Sequence, residues 1–96
     1  MAELSHIERV FSALGNKRRL EILDLIKDGI SNPGEIARRM MLPRSTIEKH
    51  LRVLLNAKIV EKVPSLTSKG QLRVYYRMHN KISKIIQNTK EILKDI

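Results

Sequence analysis

Five residues in the stretch LPRSTIEKHLRVL, residues 42–54, are of types that bind nucleic acid by direct hydrogen bonding: Arg44, Ser45, Thr46, Lys49 and Arg52. A guanidinium can bridge guanine O6 and N7 with two N–H donors. Lysine can do the same or hold a phosphate, and the Ser and Thr hydroxyls are short and adaptable. Ile47, Leu51 and Leu54 stand at i, i+4 and i+7 of the same stretch, so they share one helical face. Such a helix packs its apolar stripe on a core and turns the polar side outward. A solvated polar face is what most surface helices carry, so evidence from the rest of the chain has to decide between the two readings. Glu48 would repel phosphate; it is expected to pair with Arg44 or Arg52 at i±4 rather than accept from cytosine N4. His50, at the edge of the stripe, reads first as a hydrogen-bonded core-edge residue and second as a phosphate contact.

The charge distribution fits an anionic partner, and it fits a generally basic soluble protein equally well. The 96-residue chain carries 19 Lys and Arg against 10 Asp and Glu, a formal charge of +9. Residues 1–35 hold five basic and six acidic groups, a net of −1, whereas residues 36–96 hold 14 basic and four acidic groups, a net of +10. A one-sided excess of this kind is the electrostatic footprint of a nucleic-acid binder. With no cysteine, disulfides and thiolate metal sites are excluded. The N-terminal MAELSHIERV is charged from its third residue and does not read as a signal peptide, and no apolar run reaches the roughly 20 residues of a membrane span. A cytoplasmic protein of one domain, residues 1–96, is expected.

The elements that must position these residues follow from periodicity and caps. SHIE at 5–8 fits a capping box with Ser5 as N-cap, and Leu4, Ile7, Val10, Phe11 and Leu14 continue a helical period to Gly15. Asn16 caps a second helix carrying Leu20, Ile22, Leu23 and Ile26 and ending at Gly29. Asn32, Pro33 and Glu35 open a third helix holding Ile36, Ala37 and Met40, and Pro43 opens a fourth that ends near Asn56 or Ala57. IVEKV at 59–63 predicts a strand, and LRVYYRM at 72–78 alternates as a half-buried one. Pro64 to Gln71 reads as the turn between them, with a basic tip. Helical period returns from Asn80 to Ile96. The fold class is mainly α with a small β-hairpin, in the order α-α-α-α-β-β-α of a winged helix-turn-helix.

Three segments resemble the ArsR-type winged-helix repressors: ALGNKRRLEIL at 13–23, EIARRMMLPRSTIEKHLRVLLNAKIVE at 35–61 and GQLRVYYRM at 70–78. The resemblance implies a homodimer that binds double-stranded DNA, with the fourth helix in the major groove and the positions of Arg44, Ser45, Thr46 and Lys49 facing it. The N-terminal end of a recognition helix is the part that reaches base edges. Arg38 and Arg39 lie on the helix that crosses the backbone, where phosphate contact and free solvation are both reasonable. Lys69, Arg73 and Arg77 project from the wing, either into a minor groove or as charges that blunt an exposed strand edge.

The resemblance further implies that the first and last helices form the dimer interface. On this basis Leu4, Ile7 and Phe11 are assigned to it, with the stripe Ile82, Ile85, Ile86, Thr89, Ile92, Leu93 and Ile96. Thr89 would then be a polar residue that sets pairing, or mark a shallower stretch. Family members that sense metals use ligands this chain does not carry: the third helix reads EIARRMM, and His6, His50 and His79 have no ligand spacing among them. A His6–His79 pair across the dimer is the one conceivable exception. No metal or other cofactor is expected. A Gly-rich phosphate loop, a nucleophile elbow and a paired-carboxylate cluster are all missing, so an enzyme is not expected. The alternative is a winged-helix module for RNA or for another protein; one Phe and two Tyr are few for stacking on single strands.

Overall fold

Seven elements follow one another in the computed structural model, which describes residues 2–96. They are α1 (Ala2–Leu14), α2 (Lys17–Lys27), α3 (Pro33–Met40), α4 (Arg44–Asn56), β1 (Val60–Leu66), β2 (Leu72–Met78) and α5 (Asn80–Lys94). The winged helix-turn-helix order is therefore as expected.

Local sequence explains most of the boundaries. Asn16 accepts from Arg19 N at 3.1 Å and opens α2. Asn32 accepts from Gly34 N at 3.0 Å and Glu35 N at 3.4 Å, with Pro33 at the first helical position, where its missing N–H costs nothing. The Ser5 capping box is not used, because α1 already begins at Ala2; Ala2, Glu3 and Leu4 are good helix formers, and Ser5 lies inside the helix. Pro43 sits at the N-cap of α4, one position before the helix, and no side chain caps that end.

Three helices stop in the same way. α2, α3 and α4 each end on a residue with positive φ: Gly29 (92°), Met41 (56°) and Lys58 (62°). In each case the next amide reaches back to the last turn, Ile30 N to Leu25 O, Leu42 N to Ala37 O and Ile59 N to Leu54 O, at 2.9 to 3.1 Å. This satisfies carbonyls that a helix end would otherwise leave unpaired.

The core forms where these helices cross. Ile22, Leu23, Ile36, Ile47, Leu51, Leu54 and Ile59 are essentially inaccessible, joined by Ala13, Ile26, Ala37, Ala57 and Val60. Full burial of an aliphatic side chain is worth about 1.5–3 kcal/mol, so Ile47, Leu51 and Leu54 anchor α4 by its apolar stripe.

The wing is longer than sequence alone indicates. β1 runs through Pro64 and Ser65 to Leu66, and the antiparallel register pairs Val60 with Met78, Pro64 with Val74 and Leu66 with Leu72. The reverse turn is only Thr67–Gln71, closed by Gly70 N to Thr67 O at 2.9 Å and Gln71 N to Thr67 Oγ1 at 3.1 Å. Proline is tolerated in a strand where its missing donor faces away from the partner, which a two-stranded ribbon permits. Ile59 is not in the strand: it closes α4, and its carbonyl accepts from His79 N at 2.9 Å. At its inner end β2 packs on the core through Tyr76 and Met78, and Tyr76 N donates to Ser31 O at 2.9 Å. Further out the alternation no longer buries anything, since Leu66 and Leu72 are each 69% exposed.

Candidate nucleic-acid interface

α4 is held by its stripe so that its polar side is open. Arg44, Ser45, Lys49 and Arg52 are exposed and Thr46 is half-buried. The first turn carries no acidic residue and no side-chain cap, so the positive end of the helix dipole is left uncompensated there. Arg44 Nε donates to Glu48 Oε1 at 3.4 Å, the i,i+4 pair expected from the sequence. Both partners are about half exposed, and such pairs contribute only about 0.3–0.5 kcal/mol, so a competing ligand can displace Glu48 readily.

Arg44 also leans toward α3. A Cβ on Gly34 would stand 3.6 Å from Arg44 Nη1 and 4.0 Å from Arg38 Nη1. The bare backbone of Gly34 is thus where guanidinium groups from both helices of the motif gather. Arg38 belongs as well to a polar cleft of about 380 Å³ between α3 and the wing, lined also by Asn32, Glu35, Lys69, Arg73 and Tyr75. The cleft brings Arg38 of α3 together with two wing cations, Lys69 and Arg73, some thirty residues further along the chain. Asn32 Nδ2 donates to Val74 O at 3.3 Å and fixes the wing against the start of α3.

Two sequence candidates stand apart from this cluster. Arg39 is exposed in the last turn of α3 without a described polar partner. Arg77 is bound to Glu61 across the hairpin, with Nε at 2.8 Å and Nη2 closer still to the same Oε1. It is therefore largely neutralised at the base of the wing.

Sequence reasoning missed two further residues. Tyr76 on β2 lies within the field of α4. Burial first, and the Glu48 carboxylate second, push its phenol above the usual range, against the opposing charges of Arg44 and Arg52. Arg19 on α2 donates Nε to Ala13 O at 2.7 Å and Nη2 to Ser12 O at 3.4 Å, and its Nη1 meets His50 Nδ1 at 3.3 Å. His50 is half-buried, and it is held below the ordinary histidine range by burial first, then by the charges of Arg19 and Arg18. Its expected place at the core edge is where it lies. Nothing in the spacing of positions 19 and 50 could have indicated the pair.

A second surface lies on the terminal helices. Leu4, Ile7, Phe11, Ile85, Ile92, Leu93 and Ile96 are all exposed, Phe11 at 64% and Ile96 at 93%. Ile82 and Ile86 differ from the rest of the stripe, being half-buried and packed on the domain's own core. Between α1, α2 and α5 lies an apolar groove of about 520 Å³ lined by Phe11, Leu14, Leu20, Ile85, Ile86 and Leu93, with the Asp24–Lys90 ion pair (3.4 Å) at its rim. Thr89 donates its hydroxyl to Ile85 O at 2.8 Å within its own helix. His79 caps α5, accepting from Lys81 N at 3.4 Å. Among the described residues, no three His, Asp or Glu side chains are grouped as metal ligands, and no helix is long and apolar enough to cross a membrane.

This arrangement has close counterparts. Residues 16–62, from the start of α2 into the wing, match the pattern of bacterial regulatory proteins of the arsR family. The chain is 32% identical over 76 residues to the transcriptional repressor SdpR of Bacillus subtilis, covering 79% of each protein. A solution structure of residues 1–100 of a possible ArsR-family regulator from Mycobacterium bovis superposes with a TM-score of 0.82 at 27% identity, covering 98% of this chain and 83% of that one. That fragment is a homodimeric winged helix-turn-helix DNA-binding domain. A crystal structure of a 1–100 fragment of a possible transcriptional regulatory protein from the same organism gives 0.81 at 29% identity, with 97% and 96% covered.

Proposed function

The chain belongs to the ArsR family of bacterial transcriptional regulators, and from that membership and its surface we propose that it binds specific double-stranded DNA as a homodimer. The carrying observation is that Arg38, Lys69 and Arg73 line one cleft between α3 and the wing, that Arg44 of α4 approaches Arg38 over Gly34, and that Lys49 and Arg52 are exposed on the same helix as Arg44. A duplex offers both things this surface matches: a major groove that admits a helix, and phosphate rows on either side.

In this reading the N-terminal part of α4 enters the major groove. Arg44 exchanges Glu48 for a guanine edge, a favourable exchange because a bidentate contact discriminates by about 1–3 kcal/mol and exceeds the exposed ion pair. Ser45, Thr46 and Lys49 complete the contacts there, Arg38 and Arg39 meet phosphate, and Arg52 borders the groove. Lys69 and Arg73 on the wing meet the minor groove or backbone, with Arg77 contributing only when Glu61 releases it. The apolar residues of α1 and α5 supply the two-fold interface, and a cytoplasmic repressor acting without a metal is the whole-protein reading. Likeness to SdpR, a repressor, supports the sign of regulation.

Selection of bound sequences from a random duplex pool tests this directly, followed by titration of two variants. Arg44→Ala should lose about 1–3 kcal/mol of discrimination between selected and random duplex. Arg73→Ala should weaken both duplexes alike and reduce the salt slope by about one unit. An unchanged specific-to-random ratio in Arg44→Ala would show that α4 does not read bases.

A further inference from the structure

The Arg19 guanidinium, carried on α2, touches two other helices at once. Two of its nitrogens donate to Ala13 O and Ser12 O, carbonyls in the last turn of α1. Carbonyls of a last turn lack partners further along their own helix, and a cation is favoured at that end of the dipole. The third nitrogen meets His50 Nδ1 on α4. A guanidinium only donates, so Nδ1 must accept, and the imidazole is neutral with its proton on Nε2. α4 is otherwise anchored by Ile47, Leu51 and Leu54 with Leu55 beside them, and apolar burial has no direction. Such contacts hold a helix in place by shape, and a directed hydrogen bond adds a requirement of angle and proton placement.

We propose that Arg19 is a positioning residue for the DNA-reading helix: it ties the end of terminal helix α1 to His50, and the tie is released when His50 takes a proton. Protonation turns Nδ1 from acceptor to donor and sets a second cation 3.3 Å from the guanidinium. The charged groups facing His50 from α2 are Arg19 and Arg18, and both oppose protonation. From α1 the Ser12 and Ala13 carbonyls are held by Arg19, and Lys49 and Arg52 are cationic neighbours in sequence on α4 itself. Among the described residues, no carboxylate is hydrogen-bonded to His50. Because α1 carries exposed Leu4, Ile7 and Phe11, the tie joins the proposed pairing surface to the proposed reading helix.

This inference rests on the DNA-binding reading, and its sign separates it from simpler effects. Acidification adds positive charge to the protein, and added positive charge strengthens binding to any duplex. A His50 that simply held a phosphate would do the same. Release of the tie acts in the opposite direction. The experiment measures wild type, His50→Gln and Arg19→Lys against a selected duplex from about pH 7.5 to about pH 5.5, at fixed salt. In parallel, the His50 ring is titrated by NMR in the wild type and in Arg19→Gln, without DNA.

Wild-type affinity for the selected duplex should fall relative to that for random duplex on acidification, by less than tenfold at about pH 5.5 because a depressed His50 is only partly protonated there. In His50→Gln, whose amide oxygen can accept but does not titrate, that loss should vanish. Arg19→Lys, with one ammonium in place of a three-way fork, should start weaker and show a shallower profile. The His50 midpoint should rise in Arg19→Gln. Identical pH profiles for wild type and His50→Gln, or a gain in relative affinity on acidification, would overturn the coupling. An unmoved His50 midpoint in folded Arg19→Gln would overturn the contact itself. Failure of the wild type to bind any duplex would instead refute the DNA-binding reading, while the NMR titration would still decide the contact.

Discussion

Replacing Met41 by glycine in the turn of the helix-turn-helix should stabilise the protein. Met41 has φ 56° and ψ 42°, the left-handed conformation, and its side chain is 90% exposed. That conformation costs a residue with a Cβ about 1–2 kcal/mol. Glycine escapes the cost but loses about 0.4–1 kcal/mol by loosening the unfolded chain. Little burial is lost, so the difference of these terms spans about 0–1.6 kcal/mol, and Met41→Gly should gain roughly 0.5–1 kcal/mol at its middle. For a domain of this size that raises the melting temperature by about 2–8 °C. Lys58 provides an internal comparison, with φ 62° at the end of α4. Its cation lies at the negative end of the α4 dipole, an interaction worth about 0.3–1 kcal/mol, so Lys58→Gly should gain little or nothing. Gly29 has φ 92°, and a Cβ placed there would meet no atom within 4 Å, so Gly29→Ala should destabilise by backbone strain alone. Urea unfolding at one fixed protomer concentration measures all three. A lower midpoint for Met41→Gly, or an unchanged one for Gly29→Ala, would refute the argument that left-handed backbone governs these helix ends.

Three other perturbations address the surfaces. Glu61→Gln should free Arg77 and steepen the dependence of duplex binding on salt by up to about one unit; an unchanged slope would mean that Arg77 stays out of reach of DNA. Ile92→Asp, on the open part of α5, should convert dimer to monomer in sedimentation, because a charge in an apolar seam is costly; a wild type already monomeric at micromolar concentration would remove that interface. EDTA should leave duplex binding unchanged, and a loss restored by zinc would show that histidines or carboxylates form a site between subunits. Folding stability should also decline on acidification through the histidine range. The folded-state value of His50 is depressed, so its contribution is present above the unfolded value and is lost as pH falls toward the folded one. In His50→Gln that part of the decline should be absent from melting curves.

Element order and type were legible in the sequence because they depend on contacts a few residues long. The caps Asn16 and Asn32 bond amides two or three positions on, and the stripe Ile47, Leu51, Leu54 needs only the helical repeat. The same locality made the Arg44–Glu48 pair readable, one turn apart. Tertiary structure decided what joins distant segments. It extended the wing through Pro64, because cross-strand pairing with Val74 overrode the turn-forming tendency of that stretch. It divided the α5 stripe, placing Ile82 and Ile86 on the core and leaving Ile85, Ile92 and Ile96 open, since one small domain covers only part of a wide apolar face. It put methionine and lysine where a left-handed helix end was needed, a role that composition signals only when the residue is glycine. It set Arg77 on Glu61 and Arg19 on His50, 16 and 31 positions apart. Charge by itself cannot select such partners: every arginine in the chain is an equal candidate until the backbone brings one carboxylate, or one imidazole nitrogen, within hydrogen-bonding distance.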